Sequence, residues 1–206
     1  MLSVRRGCQL LSLLKRLRNS LSTTNLFTFY NVCIRPIIEY ACVVWSQCGI
    51  PKYLEDKLER FQRKAARLVL HLPLFNDTTP HSTLLKQLKW TTLSSRRRHQ
   101  LALLGYRISV GNIPPQLRKS DLEKKNEHRY KLGEQPVIDL PTSRTNVLYK
   151  TPIYASAEIF NTLPRHVKDS KSSIHFRRAS SDLIRTPICT CSSLPSLINV
   201  ANMVIM

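Results

Sequence analysis

A chain of 206 residues with 42% hydrophobic content can build one good-sized domain or two small ones, and it is too apolar to be wholly disordered. Lys and Arg total 32 against 13 acids, a net charge of +19 that points to a polyanionic partner, nucleic acid ahead of an anionic membrane. No stretch reaches the ~20 apolar residues of a membrane span, and Lys15, Arg16 and Arg18 interrupt the one early run that imitates a leader, so an intracellular protein without membrane association is expected.

Gln9 to Arg18 places Leu10, Leu13, Leu14 and Leu17 at helical spacing, an amphipathic helix. Ser22 or Thr23 can cap the next helix, which runs through Phe27, Tyr30, Ile34, Ile38 and Trp45. Pro36 lies inside it, so a kink or break is predicted near Arg35. From Ile37 to Trp45 only Glu39 is charged, and this segment is expected to be the central, buried helix.

Gly49 ends that helix and Pro51 opens another. Leu54, Leu58, Phe61, Ala65 and Leu68 form its apolar stripe. Lys57, Arg60, Lys64 and Arg67 form a basic stripe about 100° round the helix. Asp56–Arg60 and Glu59–Arg63 stand at i,i+4 spacing, so a solvated, salt-bridged face competes with a phosphate-tracking one. The net charge favours phosphate tracking.

After a loop over 72–80, a short helix is predicted around Ser82–Leu88. A longer helix follows, with Leu93, Leu101, Leu104 and Ile108 on one stripe together with Arg97. A cation on a core-facing stripe needs a partner, and Glu39 is the candidate for an arginine of the Arg96, Arg97, Arg98 run. Gly111 and Pro114–Pro115 close this helical half.

The expected organisation is a mainly α protein: a helical bundle over 1–112, a charged linker over 113–135, a small α+β region over 136–186, and a disordered tail over 187–206. Within the third part VIDLP (137–141) and NVLYK (146–150) read as strands of a short hairpin, and Ala155–Leu163 and Ser173–Ile184 as two helices. Of the six cysteines only Cys189 and Cys191 form a close pair, and with His166 and His175 they make at most half a zinc site. No metal ligand set and no cofactor motif is assigned. There is no pair of acids placed to hold magnesium, no Tyr-x-Asp-Asp turn, no glycine-rich phosphate loop and no nucleophile elbow, so no catalytic residue and no small-molecule substrate is expected.

Four ordered blocks carry a family resemblance: RPIIEYACVVW (35–45), LEDKLERFQRKAARLVL (54–70), LKWTTLSSRRR (88–98) and FNTLP (160–164), the last followed by SIHFRRASSDLI. Together they resemble the region after the polymerase core in reverse transcriptases of non-LTR (LINE-type, jockey-like) retrotransposons. Arg35, Pro36, Tyr40 and Trp45 match its first helix. Leu58, Glu59, Gln62, Ala65 and Arg67 match its Leu-Glu-x-x-Gln-x-x-Ala-x-Arg helix. Leu88, Leu93, Arg96 and Arg97 match its Leu-x-x-x-x-Leu-x-x-Arg-Arg block. FNTLP departs from the family's Trp-Asn-x-Leu-Pro signature by carrying Phe160 for tryptophan.

The resemblance implies a thumb-like bundle gripping a template–primer duplex, RNA or RNA–DNA hybrid, by its backbone. The palm with its magnesium-binding aspartates would lie N-terminal to Met1. On this reading the chain is a noncatalytic part of an RNA-directed DNA polymerase, a transposable-element protein, whose phosphate contacts are Lys57, Arg60, Lys64, Arg67, Arg96, Arg97 and Arg98. The alternative is a domesticated remnant docking on another protein through the apolar face of 23–46. A helix-turn-helix reader fits less well, because the basic residues are spread over several helices.

Overall fold

The computed structural model describes residues 2–46, 50–74, 79–113, 138, 140, 147 and 150–185, and they are mainly helical. Helix α1 (Leu2–Leu17) begins earlier than its leucine stripe and buries Leu14 completely, while Leu13 remains 38% exposed. Ser22 caps α2 (Thr23–Phe29) by accepting the Asn25 N–H at 3.4 Å, as its residue type predicts.

The proline-induced break takes a specific form. Tyr30–Ile34 is a wide π turn in which the Arg35 N–H bonds the Tyr30 carbonyl, and α3 (Arg35–Glu39) carries Pro36 in its first turn. A π turn just before a proline moves the chain out of the register in which the ring would strike the carbonyl four residues back.

A second break follows. Tyr40 is extended (ψ 127°) and Ala41 is left-handed (φ 50°), so α4 (Cys42–Trp45) starts on a new axis. The indole N–H of Trp45 donates to the Tyr40 carbonyl at 2.8 Å, satisfying a group that the break freed. Ile37–Trp45 is therefore not the central buried helix expected from its composition. Tyr40 is 75% and Val44 58% exposed, because the broken segment lies on the outside of the bundle with only Ile38 and Cys42 turned fully inward.

The central element is α7 (Leu93–Val110), capped by Thr92, whose hydroxyl accepts the Ser95 N–H at 3.1 Å. It packs against α4, α5 (Lys52–Val69), α8 (Pro152–Thr162) and α10 (Ser173–Arg185). With neighbours on several sides it buries Leu93, Arg97, Leu101, Ala102, Leu103, Gly105 and Tyr106, a wider surface than the single predicted stripe. Leu104 and Ile108 of that stripe are half-buried.

Two apolar clusters flank α7. The first joins Leu14, Leu26, Tyr30, Ile34 and Ile38 to Leu58, Phe61, Ala65 and Leu68 of α5, to Leu84 of α6 (His81–Gln87), and to Leu93. Trp90 stacks on Tyr30 at 4.1 Å between ring centroids. The second joins Ala102, Leu103 and Tyr106 to Ala157 and Phe160 of α8, Val167 of α9 (Arg165–Lys168) and Phe176 of α10.

Gly105 is required in that second cluster. A Cβ there would sit 2.5 Å from the Ser156 carbonyl oxygen and 2.6 Å from Phe160 Cβ, so the absence of a side chain lets α7 and α8 touch backbone to backbone. Asn161 accepts the Ile138 N–H at 3.2 Å and donates to the Ile138 carbonyl at 2.8 Å, imitating a strand pairing with a side-chain amide.

The helices predicted over Ala155–Leu163 and Ser173–Ile184 appear as α8 and α10. No strand occurs among the described residues. The hairpin segments 137–141 and 146–150 fall largely outside the described residues, as do the 113–135 linker after Ile113, the 187–206 tail, and Cys189 and Cys191. No described helix is long and apolar enough to cross a membrane.

Candidate nucleic-acid interface

Helix α5 separates its charges by face. Leu58, Phe61, Ala65 and Leu68 are buried as their spacing predicts, and Gln62, Ala66 and Val69 join them. The Gln62 amide donates to the Thr91 carbonyl at 2.8 Å, which lets a polar side chain sit 2% exposed in this core. Lys57, Arg60, Arg63 and Lys64 are all exposed, and the Lys57 ammonium lies over the Tyr53 ring at 5.3 Å.

Two of the acids that could have neutralised this face turn towards α7 instead. Glu55 accepts a bond from the Arg97 guanidinium at 2.9 Å. Glu59 accepts the Ser94 N–H at 3.1 Å, placing a carboxylate at the positive end of α7. The pairing of Glu59 with Arg63 expected from i,i+4 spacing gives way to this longer-range contact. A carboxylate gains more from unsatisfied N–H groups at a helix start than from one mobile surface cation.

The arginine run divides three ways. Arg96 forms a two-pronged contact with Glu39, its Nε donating to Oε1 and its Nη2 to Oε2 at 3.0 Å, the pairing expected for the lone acid of the apolar segment. The Glu39 carboxylate holds the Arg96 guanidinium above its ordinary pKa. Arg97 is 5% exposed, bonded to Glu55, with its guanidinium 5.9 Å from the Trp45 ring centroid. Arg98 alone of the three is fully on the surface. Arg67 is half-buried and donates to the Leu74 carbonyl at 3.1 Å, tying down the chain that leaves α5.

The residues expected to contact phosphate therefore fall into two groups. Lys57, Arg60, Lys64 and Arg98 lie on the surface. Arg96 and Arg97 are engaged in ion pairs inside the bundle, where removing the acid would strand a desolvated cation, and Arg67 is bonded to the Leu74 carbonyl.

Arg35, which the sequence marks only for the break and the first family-like block, is a second cation near Glu39. It donates to the Asn31 side chain at 2.7 Å, and burial together with the nearby Arg96 charge lowers its pKa. The Tyr30 phenol beneath them is pushed well above its ordinary value, chiefly by burial and then by Glu39. Burial also raises the Cys42 thiol, with Glu39 adding to the effect.

Among the described residues no group of His, Cys, Asp and Glu is arranged to hold a metal ion. No family model, curated protein or solved structure matches the chain.

Proposed function

We propose that this chain is a thumb-like helical bundle, with the segment following it, from a non-LTR retrotransposon reverse transcriptase, and that it binds the template–primer backbone without reading sequence. The observation that carries this reading is the charge separation on α5. Its inner acids, Glu55 and Glu59, are spent on α7, which leaves Lys57, Arg60, Arg63 and Lys64 exposed along one helix. Cations spaced along a straight element suit a regular row of phosphates and carry no base-reading geometry. Arg98 on α7 is a further proposed contact. The palm that would supply catalysis belongs, on this reading, to the parent polymerase.

The family-like residues also meet one another. Gln62 of the second block bonds Thr91 of the third, Glu59 bonds Ser94, and Arg97 of the third lies against Trp45 of the first. Mutual contact supports the view that the blocks form one structural unit, with Arg96 and Arg97 as its internal braces.

The test is binding of the full chain to a labelled RNA–DNA hybrid across a salt series. The logarithm of affinity should fall linearly with the logarithm of salt, and each phosphate contact removed should reduce that slope by about 0.9. Lys57→Gln, Arg60→Gln and Lys64→Gln together should flatten it by about 2.7. Affinity that ignores salt, or a triple variant with an unchanged slope, rules the reading out.

A second reading, docking on another protein, is favoured by Val32 on the π turn, Tyr40 at the break and Val44 on α4, which are 66%, 75% and 58% exposed. It requires that Val32→Ser and Val44→Ser abolish association while leaving salt-dependent hybrid binding intact. Trp45 fits it poorly as an anchor, since its ring is half-buried beside Arg97 and its N–H is bonded within the chain.

A further inference from the structure

Between the first half of α7 and the middle of α10 lies a cavity of about 270 Å³. Ser95, Arg96, His99 and Gln100 line it from α7, and Arg177 and Ser181 from α10. These side chains offer guanidinium, imidazole, amide and hydroxyl groups, and no described Asp or Glu is among the lining residues. Two guanidinium groups at the edge of a concave space lined by no described acid fit an oxyanion.

Arg96 is set up for that task from behind. A guanidinium has five N–H donors, and Glu39 takes two, from Nε and Nη2, which leaves three outside the pair. Glu39 does not neutralise the region by itself, because Arg35, bonded to Asn31, is a second cation near enough to feel both Glu39 and Arg96. Two cations thus share the field of one carboxylate, and Arg177 adds a third positive group at the cavity itself.

We propose that this cavity binds a phosphomonoester dianion, held by Arg96 and Arg177. Its volume is near the lower edge of the ~300–1,000 Å³ typical of small-molecule sites. That is room for a phosphate with its sugar and too little for a run of nucleotides. The phosphate belongs either to the 5′ end of a strand or to a free nucleoside monophosphate, which share this chemistry. The site is separate from the exposed face of α5 and does not depend on the thumb reading.

The experiment titrates the full chain with a 5′-phosphorylated oligonucleotide, with the same oligonucleotide ending in a 5′-hydroxyl, and with adenosine monophosphate alone. One charge-assisted contact contributes about tenfold in affinity, so the phosphorylated end should bind about tenfold tighter than the hydroxyl end. Arg177→Gln should erase that ratio and Arg177→Lys should retain part of it. Both should leave the salt slope of hybrid binding unchanged. Arg177 is exposed, so neither substitution disturbs a packed contact, and an unchanged melting temperature verifies this.

Competition by adenosine monophosphate for the end-dependent increment identifies the free nucleotide as a ligand. An increment without competition identifies the strand end. Equal affinity for both ends with no monophosphate binding overturns the proposal, as does a preference that survives Arg177→Gln. Loss of the end preference with an intact salt slope rejects the cavity alone, whereas loss of the salt slope rejects the α5 face alone.

Discussion

The two clusters on either side of α7 hold together by different means. The cluster towards α8 and α10 relies on close backbone approach and aromatic stacking: Gly105 against Ser156 and Phe160, and Tyr106 on Phe176 at 4.5 Å between ring centroids. The Tyr106 hydroxyl finds the Ser170 carbonyl at 2.9 Å, so this core buries its phenol with a partner. The cluster towards α1–α6 is looser in backbone terms, with a π turn and a left-handed residue, and it takes in charge through the Arg96–Glu39 and Arg97–Glu55 pairs. Tight apolar packing resists any added atom. An ion-paired joint tolerates atoms but fails when one charge is removed.

The largest effect is expected where α7 and α8 touch backbone to backbone. Gly105→Ala forces α7 from α8 and should cost about 3 kcal/mol in denaturant unfolding, the upper range of overpacking. A variant within 0.5 kcal/mol of the parent would show that the backbones are not held together there. Glu39→Gln tests the other side. It leaves the Arg96 guanidinium without its acid, with the Arg35 charge nearby, and should cost about 2 kcal/mol, less than a fully buried pair because the Arg96 side chain keeps 30% exposure. If Glu39→Gln unfolds at the parent's midpoint, the pair is an idle surface contact.

Smaller effects sharpen the same contrast. Asn161→Ala removes both bonds to Ile138 and should cost about 1.5 kcal/mol, with faster amide exchange at Ile138 as the local signature. Gly7→Ala should stabilise by about 1 kcal/mol. It is a helical position in α1 whose added Cβ would meet Ile38 and Phe61 at 3.5 and 3.6 Å, ordinary contact distances. The same substitution thus has opposite signs in the two regions.

At alkaline pH the side of α7 that holds Cys42 and Tyr30 should weaken. Cys42 and Tyr30 both have raised pKa values in the folded state, so each keeps its proton more tightly folded than unfolded. Their contributions are complete below the unfolded values and are lost as pH rises towards the folded ones. Unfolding free energy should therefore decline from about pH 9 through Cys42 and more steeply above about pH 10 through Tyr30. Cys42→Ala should flatten the first part of that decline and Tyr30→Phe the second. Midpoints that do not move between pH 8 and 11 would contradict both.

Much of the helical half could be read from residue patterns. The Ser22 cap, the disruption at Pro36, the apolar stripe of α5 and the Gly111 terminus all follow from rules confined to a few neighbouring residues. Two other helix ends were less legible. His71 and Lys89 adopt left-handed conformations after α5 and α6, in the position that glycine usually marks. Of the candidate interface, the exposed basic stripe was visible in spacing alone, except that Arg67 turns back to Leu74. Arg177 carried no signal beside Arg96, because nothing in either neighbourhood says that α10 packs across α7.

Local patterns in the sequence place most of the longer helices, show a strongly basic chain, and indicate that the one acid in the apolar segment needs a cation. The tertiary structure decided which helix is central. Composition favours Ile37–Trp45, but centrality depends on how many neighbours surround an element, and α7 has them on several sides. It also decided which charges are spent inside and which remain on the surface. Arg96 and Glu39 are 57 residues apart and Arg97 and Glu55 are 42 apart. Periodicity fixes the face of a helix on which a charge stands, while its partner is fixed only when another helix is packed against that face.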